Sequence, residues 1–100
     1  MVELDFYLKT VDNKAKIYSW AHYVQMDVSG TFKCKRCNFS VTVHEGVLHN
    51  TRGPALIDYS FDSPYLWYID GICYTKFGDW LEENDEISDE EKIELVLKYG

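Results

Sequence analysis

Cys34-Lys-Arg-Cys37 is the first stretch of this chain whose residue types and spacing could do chemistry. Two thiolates so spaced can share one tetrahedral Zn²⁺, and a full site needs two further ligands. His44 and His49 follow closely enough to complete a compact set, Cys34-x2-Cys37-x6-His44-x4-His49, with Cys73 as a further donor. Cys34, Cys37, His44 and His49 are thus the candidate ligands of a zinc knuckle. The plain alternative is a pair of reduced thiols on a β-turn, because the second half is not another CxxC. A redox-active dithiol wants the pair at the start of a helix, where the helix N-terminus favours a thiolate. Here a strand-like segment, Phe39 to His44, follows the pair.

Other chemistry has thinner support. His22, His44 and His49 are candidate general bases. No serine sits in a nucleophile-elbow pattern and no glycine loop matches a phosphate cradle. Tyr59, Phe61, Tyr65, Trp67, Tyr68 and Tyr74 have the composition of a stacking platform for single-stranded nucleic acid. The bases that would line such a groove, Lys33, Lys35 and Arg36, lie in the other half of the chain, so cross-strand aromatic pairs are the simpler expectation.

Charge divides the chain. Residues 1–52 carry seven Lys/Arg and five Asp/Glu, whereas residues 53–100 carry three and twelve, for a net charge of −7. Between Asp79 and Glu91 there are eight acids and no base. Such a face repels nucleic acid and attracts a basic partner. Asp79, Glu82, Glu83, Asp85 and Glu86 surround Trp80, and an aromatic with a charged rim has the composition of a binding patch. Trp80 is expected either to anchor that partner or to cap the last hairpin.

The elements that must position these residues form one domain of 100 residues, with aromatic content (16%) high enough for a packed core. It divides into N-terminal strands with the CxxC hairpin (1–44), two hairpin repeats of 25 residues (45–82), and an acidic segment with a C-terminal helix (83–100). Val2, Leu4, Phe6 and Leu8 alternate with polar residues as in a half-buried strand, and Asp12-Asn-Lys14 is a turn. Ala15 to Gln25 reads as a short helix or irregular segment on the stripe Ile17, Trp20, Ala21 and Val24. Ser29-Gly30 opens the CxxC hairpin. Gly46, Gly53 and Leu56 recur as Gly71, Gly78 and Leu81 at a constant offset of 25 residues, each first glycine preceded by Glu45 or Asp70. Asp-Gly between Leu66-Trp-Tyr-Ile69 and Ile72-Cys-Tyr74 is a strong hairpin signal. Pro54 to Ser60 is expected as the closing strand of the first copy, while the second runs into acidic sequence. Ser88-Asp-Glu-Glu91 is a capping box opening the last helix, whose Ile93, Val96 and Leu97 are expected to cover a sheet face. The fold class is thus α+β, an antiparallel meander of hairpins with a C-terminal helix.

His49-Asn-Thr-Arg-Gly-Pro-Ala55 followed by Trp67-Tyr-Ile-Asp-Gly71 resembles a hairpin repeat of small proteins from tailed bacteriophages and large DNA viruses, distantly similar to MORN repeats. The likeness covers residues 44–99. His49, Gly53, Pro54, Ala55, Trp67 and Gly71 match the pattern, whereas Tyr74, Asp79 and Trp80 depart from it in the second copy. It implies stacked hairpins and a phage origin, hence the cytoplasm of an infected bacterium, and carries no catalytic residues. Three functions follow in order of support. The first is a non-enzymatic inhibitor or adaptor acting on a host protein with a basic surface. The second is a zinc-stabilised nucleic-acid binder. The third is a small hydrolase or nucleotide-binding protein. No stretch reads as a membrane span, and Met1-Val-Glu-Leu-Asp5 lacks the form of a signal peptide.

Overall fold

The computed structural model describes residues 1–100. In chain order the strands are β1 (Val2–Leu4), β2 (Phe6–Val11), β3 (Lys14–Ser19), β4 (Gly30–Cys34), β5 (Phe39–His44), β6 (Val47–Leu48), β7 (Leu56–Asp58), β8 (Tyr65–Ile69) and β9 (Ile72–Tyr74). Two helices follow, α1 (Phe77–Glu83) and α2 (Asp89–Tyr99). The fold is α+β, a curled and mostly antiparallel sheet with a C-terminal helix.

The N-terminal strand is broken at Asp5, where the chain changes partners. Leu4 still pairs with Cys34 on β4, in the sheet's one parallel pairing, whereas Phe6 pairs with Ser19 on β3. The Asp5 carbonyl accepts from Trp20 N–H and the Leu4 carbonyl from Lys35 N–H. Together with the pairs β4–β5, β5–β6 and β6–β3, this hand-over closes a ring. Inside lie Phe6, Ile17, Cys34, Val41, Val43 and Leu48, with Ala55 and Leu56 completing the cluster. Because of the bend, the expected single-faced alternation fails at both ends, and Val2 and Leu8 are exposed.

Residues 14–19 form a strand, not the short helix expected. Asp12 and Asn13 both hold positive φ, 54° and 64°, which is type I′ hairpin geometry, and Tyr7 pairs with Tyr18 across it. Only Ile17 of the proposed helical stripe is buried. The two repeat turns match each other closely: Glu45-Gly46 at φ 51° and 77°, Asp70-Gly71 at 48° and 81°. They also touch common neighbours. Ile17 N–H donates to the Gly46 carbonyl, Ala15 N–H to the Gly71 carbonyl, and Gly71 N–H to Leu48.

The first copy closes with β7, shorter than the expected 54–60 strand. Pro54 lies before it, its carbonyl accepting from Asn50 Nδ2 at 3.1 Å. The second copy closes with α1, a helix that nothing in the sequence announced: its N-cap, Lys76, makes no side-chain capping bond. Strand β8 joins two cores because successive side chains face opposite ways. Tyr68 packs on the ring cluster, while Trp67 joins Trp80, Ile87 and Leu95 in a second cluster roofed by both helices. Half of the expected capping box forms: Ser88 Oγ accepts from Glu91 N–H at 3.2 Å, while the Glu91 carboxylate accepts from that hydroxyl at 3.4 Å instead of from the Ser88 N–H.

Candidate functional site

The four candidate zinc ligands do not converge. Cys34 ends β4 with its thiol buried and directed at the Phe6 carbonyl, 3.5 Å away, and Cys37 is exposed in the loop beyond it. His44 is at the far end of β5, five residues from the strand's start, or roughly 17 Å at the rise of an extended chain. His44 and His49 are neighbours, with ring centres 6.3 Å apart. No group of three or more His, Cys, Asp or Glu side chains is arranged to hold a metal ion. A hairpin carries its loop and its strand's far end in opposite directions, so the short sequence spacing did not mean proximity. His49 instead serves the repeat. Its Nδ1 accepts Asp70 N–H at 2.8 Å, so the first copy's histidine ties down the second copy's turn. The Cys37 thiol is raised above its ordinary value, first by desolvation and then by the adjacent Cys34, which is the opposite of what a reactive thiolate needs.

Beside that loop the aromatic and basic residues of the N-terminal half meet. Lys9 lies over Tyr18, Tyr18 stacks on Tyr7, Tyr7 contacts Trp20, and Arg36 lies over Trp20. Arg36 also forks onto Asp5, at 2.5 and 3.1 Å, and that bond holds the Asp5 carboxyl below its usual range. Tyr7 and Trp20 also line an open, largely apolar pocket of about 200 Å³, together with Phe6, Leu8, Arg36, Cys37 and Phe39. The aromatics first considered as a platform are dispersed: Trp67 and Tyr68 face opposite cores, and Tyr59 shares a hydrogen bond with Ser40.

The acidic end is better defined. Trp80 is fully buried, packed on Trp67 with ring centres 4.7 Å apart, and its Nε1–H donates to the Asn50 carbonyl. It caps the last hairpin, and of the two roles expected for it the partner anchor is ruled out by this burial. The acids around it are displayed outward. Asp79, Glu82, Glu83, Asp85, Glu86, Asp89 and Glu90 all reach solvent, and none has a basic partner within salt-bridge distance. Glu91 is the exception, pairing with Arg52. Two buried residues fix the segment between the helices. Asn84 donates through Nδ2 to the Thr51 carbonyl at 2.7 Å and accepts Glu86 N–H, while Ile87 sits in the second core. The side chains of Asp85 and Glu86 are thereby held in solvent on a pinned backbone.

Helix α2 departs from expectation. Leu95 is its buried residue and Tyr99 packs at its side, whereas Ile93, Val96 and Leu97 point away from the sheet, 61%, 46% and 82% exposed. The stripe read from sequence as core is the outer face. Leu95 was the missed contact, and the signal for it was weak because four apolar residues in five positions fit more than one face.

One titration follows from the second hairpin. Tyr68 is pushed up to about 12 by burial and then by Cys73, its cross-strand partner. A phenol whose folded pKa lies above the unfolded value near 10 contributes stability that is fully present below pH 10 and lost as pH rises through 12. Ultraviolet titration of the folded protein should show one tyrosine ionising late, and Tyr68→Phe should remove that step.

Comparison with protein-family models, curated proteins and solved structures returned no match to this chain. No helix is long and apolar enough to cross a membrane.

Proposed function

We propose that this protein is a non-enzymatic inhibitor or adaptor, phage-encoded, that binds a host protein through the acidic end formed by α1, α2 and the link between them. The observation that carries this reading is the set of seven solvent-facing carboxylates without a basic partner on a backbone fixed by Asn84 and Ile87. Acids that served only stability would be expected to alternate with bases. A pre-ordered face of one sign steers a partner of the opposite sign and raises the association rate. The phage assignment rests on the repeat resemblance.

The test begins with capture of a single stoichiometric partner from bacterial lysate, followed by association rates across salt. Glu82→Lys, Glu83→Lys and Glu86→Lys together should slow association at least about tenfold at low salt, with the difference shrinking as the Debye length falls below about 8 Å. Circular dichroism should be unchanged, since all three side chains are exposed. A triple variant that associates as fast as the parent would falsify the electrostatic role.

A further inference from the structure

We propose that the outer face of α2, the ridge formed by Ile93, Val96 and Leu97, is the contact surface for that partner, and that the partner presents an amphipathic helix bordered by Lys or Arg. This rests on the acidic-end reading and names its docking surface and the chemistry it fits.

The ridge has helical geometry. Residues at i, i+3 and i+4 line up on one face, and these three are well exposed while Leu95 turns inward. The helix therefore has two apolar sides and the fold uses one. A single exposed aliphatic residue needs no explanation, but a contiguous row of three is a patch. An i±4 or i±3 ridge is the shape that fits the groove of a second helix.

The borders select the occupant. Asp89 and Glu90 lie one turn before Ile93 and Glu94 lies one turn before Leu97, while Lys92 lies one turn before Val96. Beyond the N-terminus of α2, Asp85 and Glu86 extend the same sign; Lys92 and Lys98 are the cations of this helix. A second copy would set these acids against themselves, with a net charge of −7 on each chain. An anionic membrane surface would be repelled likewise. A helix with an apolar stripe and cationic flanks satisfies both the ridge and its rim.

The probe is a synthetic leucine–lysine peptide of about five helical turns with apolar residues at helical spacing. A peptide of the same composition reordered to strict alternation is its control. At near-physiological salt the helical peptide should bind, shift the amide resonances of residues 93–97, and outcompete the control. Ile93→Ser with Leu97→Ser should weaken it at least about tenfold, the loss expected when central contacts are removed, with the circular dichroism spectrum retained. Equal binding of both peptides, no binding, parent-like affinity of the serine variant, or a dimer in sedimentation that the serine variant abolishes would each overturn the proposal. With the captured host protein the two readings separate. If the lysine triple variant slows association while the serine variant binds as the parent does, the acidic end stands and the ridge fails. If neither variant alters binding, both fail.

Discussion

Trp80→Ala should lower the unfolding free energy by about 3–5 kcal/mol, the usual cost of deleting a buried tryptophan. For a domain whose whole stability is about 5–15 kcal/mol, the variant would stand at the edge of unfolding. The size follows from what the ring touches. It is fully buried, packs against Trp67 and Phe77, and donates its indole N–H to the Asn50 carbonyl at 3.2 Å. Without it Trp67 loses one wall, and α1 loses its only buried residue. Trp80→Phe keeps most of the packing and loses the donor, so it should cost about 1–3 kcal/mol. Urea denaturation of the three proteins checks both values. A loss under about 1 kcal/mol for the alanine variant would mean that the ring is not part of the core.

Gly46→Val should be the most damaging change in the first repeat, at about 3 kcal/mol or more. Two effects add. The residue sits at φ +77°, where an L side chain is strained. A β-carbon there would also meet the Met26 carbonyl and approach the Gln25 amide to 2.8 Å. That carbonyl is held, since it accepts Val28 N–H while Met26 N–H donates to Ile17. Gly71 has nearly the same φ, +81°, and its added carbon would meet Lys14 Cβ at 2.6 Å, Val47 Cγ1 at 2.9 Å and Lys14 Cα at 3.0 Å, the Lys14 atoms being fixed to the β3 backbone. Alanine at position 71 should therefore cost about as much as alanine at 46. Thermal denaturation of the two alanine variants compares them, and a much smaller shift at 71 would show that Lys14 and Val47 give way.

The turns were readable in the sequence because their information is local. An acid followed by glycine between apolar runs demands positive φ wherever the chain ends up, and both copies have it. The Ser88 N-cap was readable for the same reason. What failed depended on distant partners. β3 was hidden because Ile17, Trp20 and Val24 have helical spacing, and only pairing with β2 and contact with Gly46 make 14–19 a strand. The break at Asp5 is set by where Cys34 and Ser19 lie, which no local pattern encodes. α1 has no capping side chain to announce it, and it forms where Trp80 can cover Trp67. The acids of the candidate site were legible as charge. Trp80 and the α2 stripe were not, because composition does not say which side of a helix a sheet will take.

The ring's closure also governs how quickly the chain finds its fold. The β2–β3 hairpin pairs residues that are close in sequence and can form early. Val2 must find Phe32, and Ala15 must find Gly71, before the ring and the second turn are locked together. Each such meeting constrains a long intervening loop before the contact rewards it, so folding belongs to the slower, millisecond-to-second regime of sheets built from non-local pairings. Until it is complete, β4 and the N-terminal strand have unpaired edges that another chain could join. The hand-over at Asp5 thus depends on a non-local pairing, and the interval before that pairing forms is when a crowded solution poses a hazard to this chain.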